Sequence, residues 1–212
     1  MTNSFPSVAR SALIVIVSLI FTGCGSSAGL PDKEQSFSGA FPAESGGTLI
    51  SAMTAEPSGL ISMIAGESAS AAISANIFNS LLKYDKNLEL EGDLVKSWQI
   101  SPDQKTITFN LKPGLKWADG KPLTSADVLF TWHAVIDEKT ASPYASDFQL
   151  VKKAEAPDPL TFTVSYEQAY APALDSWAGL QILPEHLLQG QDLHTTTFAR
   201  NPVGSHYYKL DS

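Results

Sequence analysis

Cys24, the only thiol, and the histidines His133, His186, His194 and His206 are the side chains that could act as nucleophile, base or soft-metal ligand. A catalytic thiol needs a base to hold it as thiolate, and a metal site needs imidazoles or thiolates at close, patterned spacing. Neither condition is met. Cys24 has no histidine near it in sequence, the histidines show no ligand spacing, and the nearest pair, His186 and His194, stands across Gly190. No Gly-rich phosphate loop occurs either. The residues predict a protein that is not an enzyme and that carries no cofactor and no metal.

The surroundings of Cys24 give it a different chemistry. "MTNSFPSVAR" is polar with one cation, Arg10, and Ala12–Phe21 is then apolar apart from Ser18. Such a run is shorter than the roughly 20 residues a membrane-spanning helix needs and has the layout of a secretory signal. Thr22, Gly23 and Cys24 resemble a bacterial lipobox, with Phe21 where Leu is usual. The expectation is a signal peptide over 1–23 and a lipid on Cys24, the first residue of the mature chain. The alternative is an ordinary signal peptide cut nearby, leaving a free thiol. Residues 25–46, "GSSAGLPDKEQSFSGAFPAESG", are rich in Gly, Ser, Ala and Pro and read, with Cys24, as a flexible tether over 24–46.

The remainder, about 165 residues, is long enough for one domain with a proper core. A single cysteine excludes disulfides within the chain. The net charge of −8 and the absence of a basic stripe argue against nucleic acid as partner.

The elements that must position any site follow from periodicity. "GGTLISAM" predicts a strand over Thr48–Met53, and "AEPSGLISMIAG" a loop. The spacing of Ala72, Ala75, Ile77, Phe78, Leu81 and Leu82 predicts a helix over 68–82. Short alternating pieces follow, broken at Asp85–Asn87 and Gly92. "SWQIS" and "TITFNL", joined at Ser101–Gln104, predict a hairpin. Turns at Pro113-Gly114 and Asp119-Gly120 precede a helix capped by Thr124 with Asp127 in a capping-box position, running to about Lys139. Strands are predicted over Gln149–Ala154 and Leu160–Tyr166, then short helices in "YAPALDSWAG" and "PEHLL". Helices and strands alternate, so the fold class is mixed α/β.

The stretch from "LLKYDKNLELEGDLVKSWQISPDQ" to "KTITFNLKPGLKWADGKPLTSADVLFTW", with "KTASPYASDF", "APDPLTFTV", "ILPEHLL" and "NPVG" after it, resembles the family 5 extracellular solute-binding proteins, the peptide and nickel receptors of ABC importers. The resemblance covers nearly all of 47–204. It implies a type II periplasmic-binding-protein-like fold: residues 47–76 begin the first lobe, 77–167 form an inserted extra domain, and 168–212 return to the first lobe. The family's second lobe is not found before Ser212, so a fragment is expected. After "NPVG" the family commonly has Thr-Gly-Pro, where this chain has Ser205, His206 and Tyr207.

The resemblance further implies a monomeric lipoprotein outside the cytoplasmic membrane, with a peptide ligand and ABC permease subunits as partners. Tyr144 matches a tyrosine lining the peptide cleft; its alternative is a packed tyrosine after Pro143. Glu67, Ser68 and Ala69 match the loop that meets the ligand's amino end, against simple helix capping. Trp177 falls near a cleft-facing position, against a core tryptophan, while Trp98, Trp117 and Trp132 are expected in the core. A nickel or oligosaccharide receptor and a structural lipoprotein that binds no solute are the other readings.

Overall fold

The computed structural model describes residues 52–206 and Tyr208. The expected signal peptide over 1–23, Cys24, the expected tether and most of the strand expected over Thr48–Met53 lie outside the described residues. Ala52 and Met53, the end of that expected strand, are in no strand.

Two antiparallel sheets organise the described residues. β1 (Leu82–Tyr84) and β2 (Leu90–Gly92) form a small hairpin. Its turn is set by Asp85, whose carboxylate accepts the backbone N–H groups of Asn87 and Glu89 at 2.8 Å each. A short acidic side chain can satisfy a turn's own backbone in this way, which is why aspartate favours such positions. The second sheet contains β3 (Val95–Ile100), β4 (Thr106–Leu111), β5 (Val151–Asp158) and β6 (Thr161–Tyr166) in the order β3-β4-β6-β5.

The alternation in the sequence decides which face of this sheet is covered. Ile107, Phe109 and Leu111 of β4 and Phe162, Val164 and Tyr166 of β6 are buried, while the residues between them are half-buried. The register sets Phe109 against Phe162 and Ile107 against Val164. Side chains directly opposite on one face therefore meet, and the Phe109 and Phe162 rings stack with centroids 6.3 Å apart.

Helix α2 (Ser125–Ile136) packs on β5 and β6. Thr124 and Asp127 form the expected capping box: the Thr124 hydroxyl takes the Ala126 N–H, and the Asp127 carboxylate takes the Thr124 N–H at 2.8 Å. The other carboxylate oxygen of Asp127 accepts the N–H of Glu185 at 3.0 Å, at the start of α4 (Glu185–Leu188). One buried carboxylate thus satisfies backbone donors at two helix starts. Burial pushes its pKa above the ordinary value, against the opposite pull of those two N–H groups. One turn further on, the buried Thr131 hydroxyl donates to the Asp127 carbonyl at 2.7 Å and accepts the Leu183 N–H at 2.9 Å. These bonds fasten the 182–188 segment along α2.

Two expected helix ends move. α2 stops at Ile136 instead of near Lys139, because Asp137 turns extended and accepts Lys139 N–H on its side chain and Thr140 and Ala141 N–H on its carbonyl. α1 spans only Ser68–Ser74, half of the expected 68–82. The sequence beyond Ser74 has helical spacing, yet its backbone is claimed elsewhere. Ile77 carbonyl accepts the N–H groups of Ser205 and His206, Asn79 carbonyl that of Ile182, and Ser80 bridges Gln181. Tertiary pairing overrides local periodicity here.

α3 (Ala173–Gly179) lies against β1 and carries Trp177 onto the sheet's covered face. Trp117 and Trp132 are buried in the core, and Trp98 is half-buried against it. The apolar core is continuous from Leu60 to Phe198, so the segment after residue 168 shares it with the sheet.

Candidate functional site

Two loops far apart in sequence are brought together by one hydroxyl. Ser142, buried, donates to the Met63 carbonyl at 2.7 Å and accepts the Tyr144 N–H at 3.2 Å. Pro143 lies beside Gly66, where an added Cβ would meet its Cγ at 3.9 Å. The loop leading to Tyr144 includes Ala141 at φ 47°, a left-handed conformation that costs a non-glycine residue about 1 kcal/mol or more. Tyr144 is therefore presented by a preset turn whose anchor is the loop before α1. The Glu67 and Tyr144 segments, both singled out from sequence, are neighbours.

Glu67 is held by its own loop. One carboxylate oxygen accepts the hydroxyl of Ser70, the N–H of Ser58 at 2.8 Å and the Ser58 hydroxyl at 2.9 Å. The Ser70 hydroxyl, then the Ser58 N–H, do most to lower its pKa from the ordinary 4.5 to about 2. Ser68 is exposed at the start of α1 and Ala69 is buried beneath it. Because the folded pKa is depressed, Glu67 stabilises the loop fully above about pH 4.5 and loses that contribution as pH falls towards 2. Glu67→Gln should lower the urea midpoint at pH 7, and the difference from the parent should vanish near pH 2. A difference that stays constant over that range would show that Glu67 is not held as a carboxylate.

Tyr144, 40% exposed, opens onto a cavity of about 280 Å³. Its walls include Phe148 and Asp147 from a 3-10 turn at Ala145–Phe148, Tyr170, and Asp175 and Leu180 from the α3 segment. The Tyr84 hydroxyl donates to Asp175, tying the β1 strand to this wall. That bond raises the Tyr84 pKa, because the charged acceptor opposes a phenolate.

Trp177 stands behind the cavity, not in it. Its side chain is 0% exposed, and its ring meets Phe148 and Phe162 edge-on with centroids 5.0 Å from each. Its indole N–H donates to the Tyr166 hydroxyl at 2.9 Å. Phe148 thus belongs at once to the cavity wall and to the core. Asp147, Tyr170 and Asp175 were not singled out in the sequence; Asp147 sits beside Tyr144 through their shared 3-10 turn, its N–H donating to the Tyr144 carbonyl at 3.1 Å, while Tyr170 and Asp175 arrive with the α3 fold-back, which periodicity does not report. Among the described residues no group of three or more His, Cys, Asp or Glu side chains could hold a metal ion.

An α/β unit that presents a preset, aromatic-lined cavity has the form of a small-ligand pocket. Solved structures that resemble it include substrate-binding proteins. The substrate-binding protein CtaP of an ABC transporter from Listeria monocytogenes superposes with a TM-score of 0.73 at 30% identity, over 80% of this chain and 35% of that one. The Haemophilus influenzae protein OppA, solved in complex with RPPGFSPFR, gives 0.67 at 27% identity, over 74% and 34%. A putative ABC transporter peptide-binding protein of Brucella abortus strain 2308 is 35% identical over 139 residues, 63% of this chain and 26% of the relative. Residues 89–212, more than half of the chain, match the bacterial extracellular solute-binding proteins, family 5 Middle. The chain belongs to this family. It spans about a quarter of the length of the curated relatives it matches.

Proposed function

We propose that this protein is the solute-capturing component of an ABC importer, taking peptides outside the cytoplasmic membrane and passing them to the permease. The observation that carries this is the family membership together with relatives named as peptide-binding proteins. The placement of Tyr144 supports it locally: a phenol on a fixed turn, partly exposed over a cavity, can stack on a peptide plane and hydrogen bond through its hydroxyl. In this reading Glu67 and Ser68 line the approach beside Tyr144, with Ala69 supporting them through its backbone from beneath, and Glu67 fixes the loop's shape. Trp177 acts from behind, by holding Phe148. Residues 77–167 are the inserted domain, flanked by the first lobe at 47–76 and 168–212, and the protein works as a monomer.

Removing the Tyr144 side chain should weaken peptide binding about tenfold, the worth of one stacking and hydrogen-bonding aromatic. Calorimetric titration of parent and Tyr144→Ala with the same peptide checks this, with unfolding midpoints compared as a control. Unchanged affinity would remove Tyr144 from the site.

Attachment to the membrane is assigned to Cys24. The small residues Thr22 and Gly23 at the end of an apolar run support a lipid on its sulfur, and two or three acyl chains are what make such an anchor stable. Mass spectrometry of the mature N-terminus should find acylated Cys24 as the first residue. An unmodified thiol with residues before it intact would exclude the anchor.

A further inference from the structure

The cavity beside Tyr144 has a charge pattern that general peptide capture does not require. Three aromatic side chains, Tyr144, Phe148 and Tyr170, share its walls with two carboxylates, Asp147 and Asp175, and among the described residues no lysine or arginine lines it. The carboxylates come from different elements, a 3-10 turn and α3, so the fold converges them. Neither forms an ion pair among the described residues. Asp175 is held in place by the Tyr84 hydroxyl, and Asp147 has only a long contact, 3.5 Å, with the Ser146 hydroxyl.

From the juxtaposition of these two unneutralised carboxylates with three aromatic side chains around one cavity, we propose that it selects an organic cation, a guanidinium or ammonium group on an apolar stem. The ring faces attract a cation and cover its stem, while a carboxylate supplies a charge-assisted hydrogen bond. The cavity, about 280 Å³, suits an arginine-sized group better than a folded peptide. The inference rests on the reading of Tyr144 as ligand-facing. It adds that the captured solute is a basic peptide, with its cationic side chain or amino end seated here. An acidic or neutral solute would leave two carboxylates desolvated against it.

The test compares Nα-acetyl-argininamide with Nα-acetyl-citrullinamide, its neutral isostere, by calorimetry on the whole chain. The arginine probe should bind at least about tenfold tighter, the usual worth of a hydrogen bond to a charged group. Asp147→Asn combined with Asp175→Asn should bring the ratio close to one. Asp147→Asn alone leaves the Tyr84 contact of Asp175 in place and should reduce the ratio in part, which guards against a folding defect in the double variant. Equal affinity for both probes, no binding of either at millimolar concentration, or a preference that survives in the double variant would each overturn the inference. Failure of the receptor reading looks different. If neutral peptides bind and Tyr144→Ala weakens this while the probe ratio is one, the receptor stands and the cation site falls. If the probe ratio holds and no peptide binds, the site stands and the receptor falls.

Discussion

Trp177→Ala should unfold this domain at ordinary temperature or leave it close to the edge. The side chain is fully buried, its ring touches Phe109, Phe148 and Phe162, and its N–H is the partner of the Tyr166 hydroxyl. Truncating a buried tryptophan costs about 3–5 kcal/mol through lost burial and the cavity left behind. Leaving the Tyr166 hydroxyl without its donor adds to this. Whole domains are stable by only about 5–15 kcal/mol, so the loss is a large share. Urea unfolding followed by near-ultraviolet circular dichroism measures it, with Trp177→Phe expected to fall between parent and alanine variant. A normal midpoint with lost ligand affinity would instead place Trp177 against the ligand.

Gly204→Ala should be nearly as damaging, for a steric reason. A Cβ there would lie 2.2 Å from the Ile77 carbonyl oxygen and 2.5 Å from Ile77 Cγ2. The oxygen cannot move away cheaply, since it already accepts Ser205 and His206 N–H at 2.9 Å each. The Gly204 carbonyl in turn accepts Ala118 N–H at 2.8 Å, and Asn79 N–H donates to the Ser205 hydroxyl at 3.0 Å. Overpacking of this kind costs about 1–3 kcal/mol and the displaced bonds about 1 kcal/mol each, giving roughly 3–5 kcal/mol together. Thermal unfolding checks the magnitude, and Gly59→Ala is the control. Its Cβ would meet the Ala199 Cβ at 3.5 Å, an ordinary contact, so its midpoint should hardly move. Equal effects of the two substitutions would show that close approach is not what Gly204 supplies.

The Gly204 seam is held by Ser205 as well, whose N–H donates to the Ile77 carbonyl and whose hydroxyl accepts the Asn79 N–H. That seam was hidden in the sequence, and it is the reason α1 ends at Ser74 where the apolar spacing alone runs on to Leu82. Elements governed by local physics were readable: the β3–β4 hairpin, the two glycine turns, and the Thr124–Asp127 box. The second bond of Asp127, to Glu185 across the fold, was not. The candidate site divides the same way. Tyr144 and Glu67 could be singled out through the family resemblance, but Ser142, which joins their loops, carries no sequence signal beyond being a serine in a turn. Tyr170 and Asp175 enter only because α3 folds back over the 3-10 turn that carries Asp147. For Trp177 the sequence allowed a core or a cleft position, and burial by the sheet's covered face is what the structure adds.

The central claim, that this protein captures peptides, is tested most directly by native mass spectrometry of the protein challenged with a defined peptide pool. Saturable one-to-one complexes are expected, enriched in peptides bearing arginine or lysine and depleted by Tyr144→Ala. A protein that retains no peptide from the pool, while its unfolding midpoint shows it to be intact, would contradict it.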